Sequence, residues 1–128
     1  MSELLERILE HEGFSEKPYL DTVGVWTIGH GLTFITAEES EHIVANRLPK
    51  IQGRLRSAHP DYIEPVIDVM TEMVYQLGWV GTHKFKKMIE ALDDANYRKA
   101  AGEGLDSKWA KQTPRRAGEL MAILRDLA

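Results

Sequence analysis

At 128 residues, 43% of them hydrophobic and 28% charged, the chain is long enough for one domain with a real core and too apolar to be disordered. It has no cysteine, which excludes a disulfide framework, a Cys-based zinc site and a thiol nucleophile. The net charge of -4 is unevenly spread, with 4 Lys/Arg against 9 Asp/Glu in residues 1–50 and 10 against 7 in residues 83–128, so Lys84, Lys86, Lys87, Arg115 and Arg116 either face a polyanion such as nucleic acid or cell wall or form a solvated helix surface.

The opening MSELLERILEHEG puts acids where a secretory leader needs a basic end and an unbroken apolar run, so the chain is expected to be cytoplasmic when made. Residues 3–12 read as a helix with Ser2 as N-cap and Gly13 as its stop. At about 100° per residue, Leu5, Ile8, Leu9 and Glu12 share one face, while Glu3, Glu6 and Glu10 lie opposite. Glu12 therefore continues the apolar stripe.

Pro18 to Thr33 reads as strand and turn, with Tyr19, Leu20, Val25, Trp26, Thr27 and Ile28 as strand formers interrupted by Gly24, Gly29 and Gly31. A turn centred on Gly24 sets Asp21 opposite Thr27 on one face of the hairpin. Thr36 to Glu39, TAEE, has the spacing of a capping box and opens a helix through Ile43, Val44 and Leu48. Pro49 removes a backbone donor and should kink or break that helix before Ile51 and Leu55.

Residues 65–77 are apolar on more than one side and read as the central core helix. Gly78 and Gly81 bracket a connection to a helix near 83–92, and further helices follow around 97–101 and, from Thr113 as N-cap with Pro114 at N1, to the end. The class is α+β, a small hairpin-bearing lobe and a larger helical lobe.

Several chemical signals fail. Glu39 and His42 have a Glu-x-x-His spacing without a second pair, and Gly29-His30-Gly31 is too short for a dinucleotide loop. The carboxylates are more informative. On the apolar face of its helix Glu12 should lose hydration, which suits a general acid, while a wetter Asp21 beside Thr27 should stay ionised as base or charge stabiliser. Glycoside hydrolysis uses two carboxylates held apart in this way. The bland alternatives are a helix-end glutamate and an aspartate serving its turn.

Glu12, eight intervening residues, Asp21, five more and Thr27 resemble the catalytic spacing of the phage-type lysozymes, glycoside hydrolase family 24. The strings PYLDTVGVWTIGHGLT, ITAEE, MVYQLG and SKWAKQTPRRA carry the resemblance along nearly the whole chain. It implies a lysozyme-like fold with a small lobe at about residues 13–48, a larger helical lobe at about 1–12 and 56–128, and an active-site cleft between them. It further implies Glu12 as general acid, Asp21 on the base side, Thr27 holding the attacking water, Arg116 pairing with the glutamate, and Tyr75 and Gln76 lining the cleft.

The implied reaction cleaves the β-1,4 bond between N-acetylmuramic acid and N-acetylglucosamine in peptidoglycan, without metal or cofactor, for host-cell lysis. A monomer reaching the wall through a holin-type pore is expected, with no nucleic-acid partner and no stable membrane insertion. Alternatives are a lytic transglycosylase and a wall-binding module without catalysis. Two departures stand out: Leu32 occupies the place of the family's usual histidine, with His30 before the second glycine, and the segment from Thr33 to Ile35 is short.

Overall fold

The computed structural model describes residues 2–128, and its chain contacts form two compact units, one ending at Val44 and one spanning Ala45–Ala128. Seven helices and one two-stranded antiparallel sheet make up the described residues, an α+β class. None of the helices is long and apolar enough to cross a membrane.

In the first unit α1 (Glu3–Glu12) starts where the Ser2 hydroxyl accepts the Leu5 N–H at 3.1 Å, and it stops at Gly13, whose φ of 66° suits a residue without Cβ. None of its residues is buried. Strand β1 (Ser15–Leu20) pairs antiparallel with β2 (Trp26–Gly29), and the register is irregular between Ser15 and Tyr19, where Pro18 supplies no N–H.

The expected register is corrected here. Thr27 pairs with Tyr19 and Trp26 with Leu20, so the turn centres on Val23 and not on Gly24. Asp21 causes the difference, because its side chain takes the N–H groups of Val23 and Val25 and folds the chain around itself before Gly24 turns it at φ 80°. Asp21 is thus diagonal to Thr27.

Helix α2 (Ala37–Ala58) begins with the foreseen capping box in full: Thr36 N–H donates to Glu39 Oε1 at 2.9 Å, and Glu39 N–H donates to Thr36 Oγ1 at 3.1 Å. Hydrogen bonding to the carboxyl from the Thr36 backbone N–H, and then from the Thr36 side chain, holds Glu39 below its usual range. The helix then runs unbroken through Pro49, so the expected division is not found. Its C-terminal half is secured independently of the proline: Leu55 is fully buried, Gln52 donates to Asp68 at 3.2 Å, and Arg56 binds both oxygens of Glu64. One missing donor is not enough to end a helix anchored on its far side.

The second unit is built around α3 (Glu64–His83), with Val66, Ile67, Val69, Met70, Met73 and Val74 buried along it. This is the core helix that an apolar surface on several sides requires. It breaks at Gly78 (φ 80°, ψ 167°), after which one further turn runs to His83; the real connection is thus shorter and later than the glycines suggested. Around α3 stand α4 (Lys86–Asp93), α5 (Tyr97–Leu105), α6 (Lys108–Gln112) and α7 (Pro114–Arg125).

Gly104 on α5 has no room for a Cβ, which would overlap the sulfur of Met121 on α7, so the two helices meet at close range there. The short α6 was not anticipated; Ser107 caps it by accepting the Ala110 N–H at 3.2 Å. Thr113 precedes α7 as expected, but its hydroxyl donates back to the Trp109 carbonyl at 3.0 Å and does not cap. Inside this unit the Thr82 hydroxyl is fully buried without a hydrogen-bond partner.

Candidate active site

Three of the expected site residues, Glu12, Asp21 and Thr27, lie in the first unit. Among the described residues of that unit Thr27 is the buried one, 5% exposed, and its hydroxyl donates to the Val25 carbonyl at 3.0 Å. The same carbonyl receives the Asp21 N–H at 3.0 Å, while the Val25 N–H reaches Asp21 Oδ1 at 2.8 Å. Asp21 and Thr27 are therefore fixed to the two polar ends of one residue's backbone. Val23 N–H adds a second bond to Oδ1 at 2.9 Å, which leaves Asp21 Oδ2 without a protein donor among the described residues.

Glu12, the last residue of α1, rests its carboxylate on the Cα of Gly31. A Cβ at Gly31 would overlap the carboxylate, and φ 74° disfavours one in any case. The loop carrying Gly31 is pinned by reciprocal bonds of 2.9 Å between the backbones of Ile28 and Leu32. The Gly29-His30-Gly31 triplet thus turns the chain tightly and admits a carboxylate beside it. Phe14, just after α1, meets His30 at 5.1 Å between ring centroids, a second contact between α1's end and this turn.

The enclosures of the two acids are the reverse of those expected. Glu12 is exposed and Asp21 is half-buried, because the turn folds over the aspartate while the glutamate stands at a helix end. A carboxylate gripped by amides can be partly enclosed at little cost, since the lost hydration is replaced.

The other three residues lie in the second unit. Gln76 Oε1 accepts the Trp109 indole N–H at 2.9 Å, and that ring meets Phe85 edge to face at 5.8 Å, so the glutamine's orientation is set by a buried tryptophan. Tyr75 beside it is exposed. Arg116 donates its Nε to Glu72 Oε2 at 2.7 Å, an ion pair in which both side chains remain partly exposed. Glu72 was not singled out from the sequence, since the pair closes over 44 residues and no local pattern marks it. Val25 was missed for a different reason: it acts through its backbone, which every residue has.

A model of the phage lysozyme family matches residues 9–125, which is most of the chain and contains all six expected site residues. The chain belongs to the phage lysozyme family. Among curated proteins, the probable T4-type lysozyme 2 of Dictyostelium discoideum is 32% identical over 54 residues, covering 42% of this chain and 32% of that protein. The match thus spans about a third of the relative's length. Within the family frame, the first unit holds the residues expected to do chemistry and the second those expected to support it.

Proposed function

We propose that the chain is a peptidoglycan hydrolase, a lysozyme that cleaves the β-1,4 bond between N-acetylmuramic acid and N-acetylglucosamine by general acid and base catalysis. The observation that carries this reading is the Val25 clamp on Asp21 and Thr27 within a chain that belongs to the phage lysozyme family. Glu12, exposed at a helix end, gives its proton to the leaving glycosidic oxygen. Asp21 Oδ2 accepts a proton from the attacking water.

Thr27 completes the water site in a defined sense. Its own proton is committed to the Val25 carbonyl, so its hydroxyl oxygen can only accept from the water. A water donating one proton to Thr27 and the other to Asp21 has its lone pairs turned outward for attack. This arrangement suits inversion, in which a water occupies the place of a retaining enzyme's nucleophile.

In the same reading Arg116 supports Glu12, Tyr75 and Gln76 line the substrate channel, and the lobes follow residues of about 13–48 and about 1–12 with 56–128. No cofactor enters. The reaction serves host-cell lysis, with the protein passing from the cytoplasm to the wall through a holin-type pore.

Zymography on purified peptidoglycan with the wild type and Glu12→Gln tests the reading. The amide keeps the size of the side chain but has no acidic proton to give, so cleavage should fall by about 10²- to 10⁴-fold in a protein that still folds. Full clearing by a folded Glu12→Gln protein refutes it. NMR of freshly cleaved glycan should show the α-anomer first; a β-anomer means retention, and a 1,6-anhydro end means transglycosylase chemistry.

A further inference from the structure

In the second unit, the end of α2 and the end of α3 meet through a run of rings. Tyr62 lies flat on His59, with centroids 4.4 Å apart and planes 5° from parallel. At the other end Trp79 lies on His83 at 4.3 Å, and the Arg54 guanidinium sits 3.8 Å from the Trp79 centroid. The two imidazoles join the halves: their planes differ by 9°, their Nε2 atoms are 3.0 Å apart and their centroids 5.2 Å.

Those distances fix the arrangement. With bonds near the length of a peptide C–N, a ring atom lies roughly 1.2 Å from its centroid, so both Nε2 atoms fall close to the line between the centroids. The rings are edge to edge and each Nε2 points at the other. A metal ion would instead need both lone pairs to converge beside that line at about 2.0–2.1 Å. No group of three potential ligands exists among the described residues. A shared proton fits the gap.

The proton count follows from the far side of His83. Its Nδ1 is 2.8 Å from the Trp79 carbonyl, which only accepts, so Nδ1 carries hydrogen. In the neutral pair His83 Nε2 is the acceptor and His59 Nε2–H the donor. One added proton on His59 Nδ1 leaves that bond intact. A second proton puts hydrogen on both Nε2 atoms and two cations about a hydrogen-bond length apart, with Arg54 already positive on the same ladder. We propose that the His59–His83 pair is an acid-sensitive latch that fastens the last turn of α3 to the end of α2 while it carries no more than one added proton and lets go with two.

The surroundings favour this use. Gly78 separates residues 79–83 from the body of α3, so the final turn can move without unwinding the core helix. A cavity of about 510 Å³ lined by His59, Asp61, Tyr62 and Asp93 gives water access to His59. Asp93, held by the Tyr62 hydroxyl at 2.9 Å, opposes the build-up of charge on His59, and Asp61 lines the same cavity, while Arg54 over the Trp79 ring adds to it. Burial, and then His83, push the His59 pKa down, against a smaller upward pull from Asp93. A histidine with a depressed folded-state pKa stabilises the fold above its ordinary value near 6.5 and loses that contribution as pH falls through it.

The test is an NMR titration of the whole chain from pH 8 to pH 4, following both imidazoles and the amide protection factors. The pair should take up its two protons in steps at least about one pH unit apart. Protection of residues 79–84 should fall by about tenfold or more across the second step while α7 stays protected. In His59→Phe, which keeps a ring on Tyr62 but has no nitrogen, that protection should already be low at pH 7 and no longer respond to acid. Equal, independent titration of the two rings overturns the proposal. So does opening of α7 together with 79–84, or a wild-type acid response in His59→Phe.

Discussion

The two units keep their shape by different means. From Ala45 onward, 18 apolar side chains form one buried cluster around α3, whereas among the described residues before that point the buried side chain is the polar Thr27. The N-terminal unit relies on directed contacts: the Ser2 cap, the Asp21 turn, the Thr36–Glu39 box and the fit of Glu12 on Gly31. Hydrophobic burial is strong and undirected, while single hydrogen bonds add only about 0.5–1.5 kcal/mol each but fix geometry. The proposed chemistry falls in the part where direction, not bulk, defines the structure.

Substitutions can break that contrast, and the largest effect on stability belongs to the core. Met70→Ala, at a fully buried position of α3, should cost about 2–5 kcal/mol in denaturant unfolding while the surviving folded fraction keeps its hydrolytic rate. A smaller effect with the opposite signature is expected at Gly31. Gly31→Ala should cost about 1–3 kcal/mol through the unfavourable φ and the displaced carboxylate, and it should lower the rate far more than the thermal midpoint. Thr36→Ala, which removes one half of the capping box, should cost about 1 kcal/mol and leave the rate unchanged. Equal losses of rate in all three proteins would erase the distinction between the units.

Local rules were legible in the sequence. Ser2, Gly13 and the Thr36–Glu39 box act within a few residues of themselves, so spacing alone located both helix starts and one helix stop. The run from Val66 to Val74 announced a core helix because nothing but burial explains apolar side chains on several sides. What failed were competitions between local choices. Gly24 and Asp21 both favour a turn, and the aspartate's grip on two amides set its centre one residue before the glycine. At Pro49 the propensity to break lost to Leu55 and the bonds to Asp68 and Glu64. Thr113 commits its hydroxyl to the Trp109 carbonyl and leaves the start of α7 without a side-chain cap.

The candidate site was legible as a set of residue types and not as a geometry. Spacing selected Glu12, Asp21 and Thr27 but said nothing of the Val25 backbone that ties two of them together. Contacts between residues distant in sequence, such as Arg116 with Glu72 or His59 with His83, leave no periodic trace and emerge only once the helices are folded.

Thr82 bears on engineering. Its hydroxyl is sealed in the second unit with nothing to bond, so the folded protein carries a desolvation penalty that the unfolded chain, in water, does not. Valine has nearly the same shape without the polar atom. Thr82→Val should raise the denaturation midpoint by an amount equivalent to about 1–3 kcal/mol and leave hydrolysis untouched. The position is an unused reserve of robustness, from which a variant burdened by destabilising changes elsewhere could be rescued.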